Sequence, residues 1–362
     1  MIDIVYGGAW GDEGKGKVVS SLPYYDLYCR YNGGPNAGHT IYVNGEKYAV
    51  HQLPSGAVFN KPCYIGPGCV VHIKKLFQEA NKINFNLENL TIHPNTAIIT
   101  EEHVNSDKDN QFKTQGSTGS GIAPAYADKH ARVARTFVDY VNDPAYWFLE
   151  KINCNSIDIS EYAIENQILV EAAQGVNLDI NHGNYPFVTS SSCLPQASAS
   201  ALGFPFQLVD NVICVIKAYD TRSGKDTQFY PYAPYTEELV SYLYDNNSIF
   251  KQIAELGNEK GVTTGRDRQV SYLNLDMLCK NLKMSLPNNI VINKLDILDT
   301  LNTYKLFFDN HLWDFETRET FIATIENAIS ATYYSLGYNH PNIIWSSTPH
   351  PDDNIQKVLN DR

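Results

Sequence analysis

The chain of 362 residues has no C-x-x-C pair, no excess of positive charge and no long apolar run, and each absence removes a class of function. Its seven cysteines (Cys29, Cys63, Cys69, Cys154, Cys193, Cys214 and Cys279) are scattered and odd in number. That pattern suits reduced thiols better than a disulfide framework, and each is read as buried apolar filler. With 28 Lys+Arg against 40 Asp+Glu, the formal charge of −12 argues against charge-driven binding to nucleic acid or a membrane surface. No window reaches the roughly 18 to 20 apolar residues of a membrane helix. The opening "MIDIVYGG" carries Asp3 and runs straight into a strand pattern, without the basic start and apolar stretch of a secretory signal. The expectation is a soluble, cytoplasmic protein (host cytoplasm if the source is viral). No repeat, low-complexity tract or Pro/Gly/Ser linker divides the chain, so one domain is expected over 1–362.

What is present is a series of short apolar runs, rich in β-branched and aromatic residues, that end in glycine or polar groups: "IDIVYGG", "LYCRYNGG", "ILVEAAQG", "VICVIKAYDTR" and "NIVINKLD". Apolar residues make up 43% of the chain, enough for a substantial core. Helix-like stretches at 74–83, 144–153 and 236–255 alternate with these runs, which predicts an α/β fold around a large, mostly parallel sheet. Within 40–53, "TIYVNGEKYAVHQL", two strand-like runs flank Asn44-Gly45 and predict a tight hairpin outside that sheet.

Four loops and one strand end carry candidate chemistry. A Walker loop runs G-x-x-x-x-G-K and then Ser or Thr, because amides wrap phosphate, lysine neutralises charge and the hydroxyl binds magnesium. In "GGAWGDEGKGK" (7–17), Gly14-Lys15 supply the G-K, but Ala9 replaces the first glycine and Gly16 the hydroxyl. A magnesium ligand would have to come from elsewhere, and Asp12 is the nearest hard donor. "NGGPNAGHT" (32–40) puts His39 after a strand and a glycine turn, and a histidine with an aspartate suits proton transfer near neutral pH. "GSTGSG" (116–121) offers Ser117, Thr118 and several amides, followed by Lys129, Arg132 and Arg135. "VTTGRDR" (262–268) sets two hydroxyls and two arginines around Gly265, as a carboxylate or phosphate clamp requires. "NKLD" (293–296) matches N-K-x-D, whose aspartate accepts from the N1 and 2-amino hydrogens of guanine.

Taken in order, "WGDEGKGK", "GGPNAGHT", "VNGEKYAVHQLPSG", "TGSGIAPAYADKHAR", "EAAQGVNLDINHGNYPFVTSS", "IKAYDTR", "VTTGRDR" and "NKLDILD" make the chain resemble the adenylosuccinate synthetase family over most of its length. The resemblance implies a P-loop/GTPase-related α/β domain acting as a homodimer. It implies a Mg2+-dependent ligase that joins L-aspartate to C6 of inosine monophosphate (IMP), after GTP phosphorylates the 6-oxygen. Asp12 matches the base and a metal ligand, His39 the acid at the 6-oxygen, and the Gly38 carbonyl a further metal ligand. Glu13, Gly14, Lys15, Gly16, Lys17 and Thr40 match triphosphate-binding positions, and Lys294, Asp296 and Ser346 the guanine end. Asn36, Thr118, Gln174, Thr189 and Arg266 match monophosphate-binding positions, and Arg132 the arginine that reaches the neighbouring subunit's monophosphate. Thr263, Thr264, Gly265, Arg266 and Arg268 match the aspartate loop.

Two departures keep alternatives open. Ser120 stands where longer members carry an arginine that helps bind aspartate, and Cys193-Leu194-Pro195 looks more like phage relatives acting on deoxyguanylate (dGMP) with ATP or GTP. That places the purine choice near Gln174, Thr189 and Cys193. A different class, a GTP-binding module without ligase activity, would keep "NKLD" but have no use for Asp12 beside His39.

Overall fold

The short apolar runs become the strands of one sheet, in a computed structural model that describes residues 1–115, 117–224, 226–231, 237–243, 245, 248–261, 265–348 and 350–360. Its nine strands are β1 (Ile2–Gly7), β2 (Leu27–Arg30), β3 (Cys63–Ile65), β4 (Leu90–Ile92), β5 (Asn153–Cys154), β6 (Ile168–Glu171), β7 (Val209–Lys217), β8 (Asn289–Asn293) and β9 (Asn342–Ser346). They lie in the order β9-β8-β7-β1-β6-β2-β3-β4-β5, and every neighbouring pair is parallel. A parallel sheet has both faces covered, and β1 shows it: all six of its residues are buried. Ile2, Ile4 and Tyr6 pack on one face with Ile168 and Val170, and Val5 packs on the other with Val18 and Leu169.

Strand register decides where the chemistry gathers. Val5 pairs with Glu171 and Gly7 with Val215, so the carboxyl ends of β1, β6 and β7 come level. The order reverses around β1, and a crevice at such a switch point is where open α/β sheets bind ligands. The hairpin forms as expected, with His39–Val43 antiparallel to Glu46–Val50 and positive φ at Asn44 (51°) and Gly45 (84°). A separate four-stranded sheet includes Tyr219–Arg222 and Gln269–Asn274.

Three expectations change. The stretch 144–153 forms a 3-10 helix, Pro144–Lys151, with a kink at Tyr146; the Tyr146 ring packs on Tyr140 and the Phe148 ring on Phe77. Among the described residues, the stretch 236–255 gives two helices, Glu237–Leu243 and Ile249–Leu256, and the Ser248 hydroxyl caps the second by accepting from the Phe250 amide at 3.2 Å. Cys154 and Cys279 are partly exposed, while the other five cysteines are buried. No helix among the described residues is long and apolar enough to cross a membrane.

Candidate functional site

The loop after β1 is held open from within. Glu13, 2% exposed, turns its carboxylate back into the loop, where it accepts from the Gly11 amide at 2.7 Å and from Lys15 Nζ at 2.8 Å. That bracing is why Gly7 has no side chain: a Cβ there would sit 2.4 Å from Glu13 Oε2. Gly11, Asp12 and Gly14 all take positive φ (85°, 59° and 96°), a strained choice for Asp12, and the helix Lys15–Ser20 follows. Lys15 Nζ also donates to the Gln174 carbonyl at 2.6 Å, tying this loop to the one after β6.

The missing Walker hydroxyl has a steric cause. A Cβ on Gly16 would lie 2.6 Å from the Thr40 carbonyl oxygen, so the hairpin backbone fills the place a Ser or Thr would need. The Asp12 carboxylate lies on this loop, its Oδ2 accepting from Arg268 Nε at 2.8 Å and Ser223 Oγ at 3.4 Å. No group of three or more His, Cys, Asp or Glu among the described residues could hold a metal. Magnesium needs no such group, since it takes one or two carboxylates and completes its shell with water and phosphate. Asp12 beside the Gly38 backbone fits that sparse donor set.

His39 is 4% exposed, and its Nδ1 is hydrogen-bonded to Glu171 at the end of β6. Glu171 is itself fixed by the Ser55 hydroxyl and by the Ser55 amide at 2.8 Å. Burial raises the Glu171 pKa, but His39 and these donors outweigh it and hold the carboxyl at about 2. An ionised Glu171 selects the Nδ1–H tautomer and leaves Nε2 as the working nitrogen. Burial, helped by Arg30 and Lys15, keeps the His39 pKa below its ordinary value in spite of Glu171. No role is read from the sequence for Glu171 or Ser55, which lie 132 and 16 residues from His39 and meet it only through the fold.

Two cavities open on this loop, one of about 340 Å³ and one of about 320 Å³. The first is lined by Asn36, Thr118, Gln174 and Thr189, with Trp10 and Arg222. Asn36 Nδ2 reaches Thr189 Oγ1 at 3.5 Å, and both side-chain amide atoms of Gln174 are buried without a hydrogen-bond partner among the described residues. The second is lined by Gly14, Gly16, Lys17, Thr40, Lys294 and Asp296, with Tyr42 and Lys217. Asp12, Lys15, Gly38 and His39 belong to the walls of both.

Lys17, Lys294, Lys217 and Arg268 of the second cavity already have partners. Lys17 Nζ donates to Ser346 Oγ at 2.6 Å and Asn293 Oδ1 at 3.2 Å, and burial lowers its pKa to about 8. Lys294, with φ 71°, donates to the Gly257 carbonyl at 2.8 Å. Burial raises the Asp296 pKa against the pull of Lys294. Lys217 Nζ and Arg268 Nη1 both donate to Glu259 Oε2, at 2.8 and 2.6 Å.

The remaining sequence candidates lie elsewhere. The Glu13 carboxylate turns into the loop's interior, while the residue lines the second cavity. Ser346 is 1% exposed, its hydroxyl bonded to Lys17 and Asp352 and lining neither cavity; Thr348 lines the second. Arg132 is exposed at the end of the helix Ile122–Ala131, and it, Gly265 and Arg266 line neither. Thr263 and Thr264 lie outside the described residues. Cys193 is fully buried, its amide donating to Asp179 Oδ2 at 2.6 Å; of the segment 189–196, only Thr189 and Ser190 line the first cavity. Cys193 itself therefore lines neither cavity.

A family model described as adenylosuccinate synthetase matches residues 4–161 and 145–335. The adenylosuccinate synthetase of Desulfatibacillum aliphaticivorans is 33% identical over 353 residues, covering 84% of this chain and 79% of the relative. The fully ligated adenylosuccinate synthetase of Plasmodium falciparum superposes with a TM-score of 0.79 at 25% identity, covering 97% of this chain and 98% of that one. A cyanophage S-2L succinoaminodeoxyadenylate synthetase bound to dGMP and dATP matches with a TM-score of 0.65 at 21% identity, covering 90% and 99%, and shares the fold.

Proposed function

Because the chain belongs to the adenylosuccinate synthetase family of C–N bond-forming ligases, we propose that its two cavities hold IMP and GTP on either side of one shared wall. The reaction joins L-aspartate to C6 of IMP and converts GTP to GDP and phosphate. The observation that carries the assignment is the wall itself: Asp12, Lys15, Gly38 and His39 face both cavities, where a phosphoryl group must cross. We read 1–362 as one working unit.

IMP occupies the Gln174 cavity, where its purine edge pairs the orphaned amide. GTP occupies the other, with Asp296 reading the base and Lys15 at the γ-phosphate. Asp12 accepts the N1 proton, which puts negative charge on the 6-oxygen. That oxygen attacks the γ-phosphorus; the O6–P bond forms as the bond to the β-phosphate oxygen breaks. His39 donates through Nε2 to the 6-oxygen once incoming phosphate charge offsets the burial that keeps the imidazole neutral. The aspartate amine then attacks C6, a proton leaves the nitrogen, and phosphate departs with the former 6-oxygen. Arg268, with Arg266 and the 263–265 loop, holds the aspartate carboxylates. Asp12 and the Gly38 carbonyl would hold magnesium, which would supply charge neutralisation for phosphoryl transfer. Arg132, outside both cavities, serves the monophosphate of a second copy in a homodimer.

The test is a mixing experiment: purified protein with aspartate, GTP or ATP, and IMP, guanylate or dGMP in turn. Turnover of IMP with GTP is expected. Turnover of dGMP alone would move the chain to the aminoadenine branch, and GTP binding without aspartate-dependent phosphate release would leave only a nucleotide-binding module.

A further inference from the structure

The proton-transfer carboxylate and the aspartate loop are joined by a buried charge network whose centre, Glu259, has no role in the mechanism above. Glu259 is 2% exposed. Its Oε2 accepts from Arg268 Nη1 at 2.6 Å and Lys217 Nζ at 2.8 Å, and its Oε1 from the Tyr219 hydroxyl at 2.8 Å. Lys217 also donates to Thr221 Oγ1 at 2.8 Å. A second nitrogen of Arg268 reaches Asp12, Nε to Oδ2 at 2.8 Å. Charges therefore alternate along the line Asp12, Arg268, Glu259, Lys217.

The same pair closes the loop. The Arg268 amide donates to the Glu259 carbonyl at 3.0 Å, and the Gly261 amide to the Arg266 carbonyl at 2.8 Å, so residues 259 and 268 form its base. Gly257 leaves room for the arrangement, since a Cβ there would come within 2.5 Å of the Tyr219 hydroxyl.

We propose that Glu259 is a positioning residue for the first chemical step: by holding Arg268 from behind, it sets Asp12 against the purine and the aspartate loop against the base with one carboxylate. Without Glu259, two buried cations compete for Asp12, the nearest remaining anion in the line, and Arg268 swings from a one-nitrogen contact toward closer capture of the base. The inference rests on the ligase reading above.

Phosphoryl transfer can be read without aspartate. If IMP attacks GTP reversibly, an oxygen-18 label in the β,γ-bridge of GTP scrambles to non-bridging β positions when enzyme, IMP and Mg2+ are present. Misplacing a reacting group costs about tenfold to a hundredfold, so Glu259→Gln should slow this scrambling by about that factor while Glu259→Asp restores much of it. Scrambling at the wild-type rate in Glu259→Gln, with only a raised KM for aspartate, would overturn the proposal. Should that variant fail to fold, the double variant Lys217→Met/Glu259→Gln removes one charge of each sign. It should fold and still scramble slowly, and a normal rate would overturn the proposal equally. A wild-type protein that neither scrambles nor turns over IMP would instead refute the ligase reading, and this proposal with it.

Discussion

The two cavities are nearly equal in size, yet their walls are in opposite states. On the side proposed for GTP, Lys17, Lys217 and Lys294 are each bonded to protein oxygens already. On the side proposed for IMP, the Gln174 amide is buried with neither its oxygen nor its nitrogen paired among the described residues. On the proposed reading, the first wall is assembled before ligand arrives and the second is completed by ligand. The difference follows from charge: a bare ammonium cluster is too costly to leave unpaired in a partly buried site, whereas a neutral amide costs only about 1 to 3 kcal/mol.

The largest effect should come where the cavities meet. Asp12→Ala and His39→Ala should each lower kcat by at least about a hundredfold, the usual scale for a proton-transfer group, and loss in only one would break the picture of a shared wall. Gly16→Ser tests the preassembled side. Overpacking costs about 1 to 3 kcal/mol, so GTP affinity should fall about tenfold or more while IMP affinity is kept, as separate titrations would show. Gln174→Ala tests the incomplete side: the KM for IMP should rise about tenfold with the KM for GTP unchanged. The smallest effect is on acid stability. Glu171 sits at about 2 in the fold against an ordinary 4.5, so the folded protein binds fewer protons than the unfolded chain. Its contribution is present above about pH 4.5 and lost as pH falls toward 2, and Glu171→Gln should flatten the fall in Tm across that window.

Local chemistry made part of this legible in advance. Asn44-Gly45 announced its hairpin because both residues accept positive φ. Strands showed because buried parallel strands read as unbroken apolar runs. The helix-like stretch 144–153 became a 3-10 helix kinked at Tyr146, with the Tyr146 and Phe148 rings packed edge-on against Tyr140 and Phe77. The loops that meet at the site could be read as loops, and Asp12, Lys15 and His39 with them. What could not be read was long-range satisfaction. Glu171 behind His39, Glu259 behind Arg268 and the Thr40 carbonyl against Gly16 each depend on strand register. Cys193 drew attention for a neighbouring pattern, yet the fold turns it into the core.

The central claim is that the 6-oxygen of the purine is the group phosphorylated at the wall of Asp12, Lys15, Gly38 and His39. The direct measurement uses IMP carrying oxygen-18 at position 6, with GTP, Mg2+ and L-aspartate, followed by mass analysis of the released phosphate. One labelled oxygen per phosphate is predicted. Unlabelled phosphate formed alongside the aspartate adduct would contradict the account.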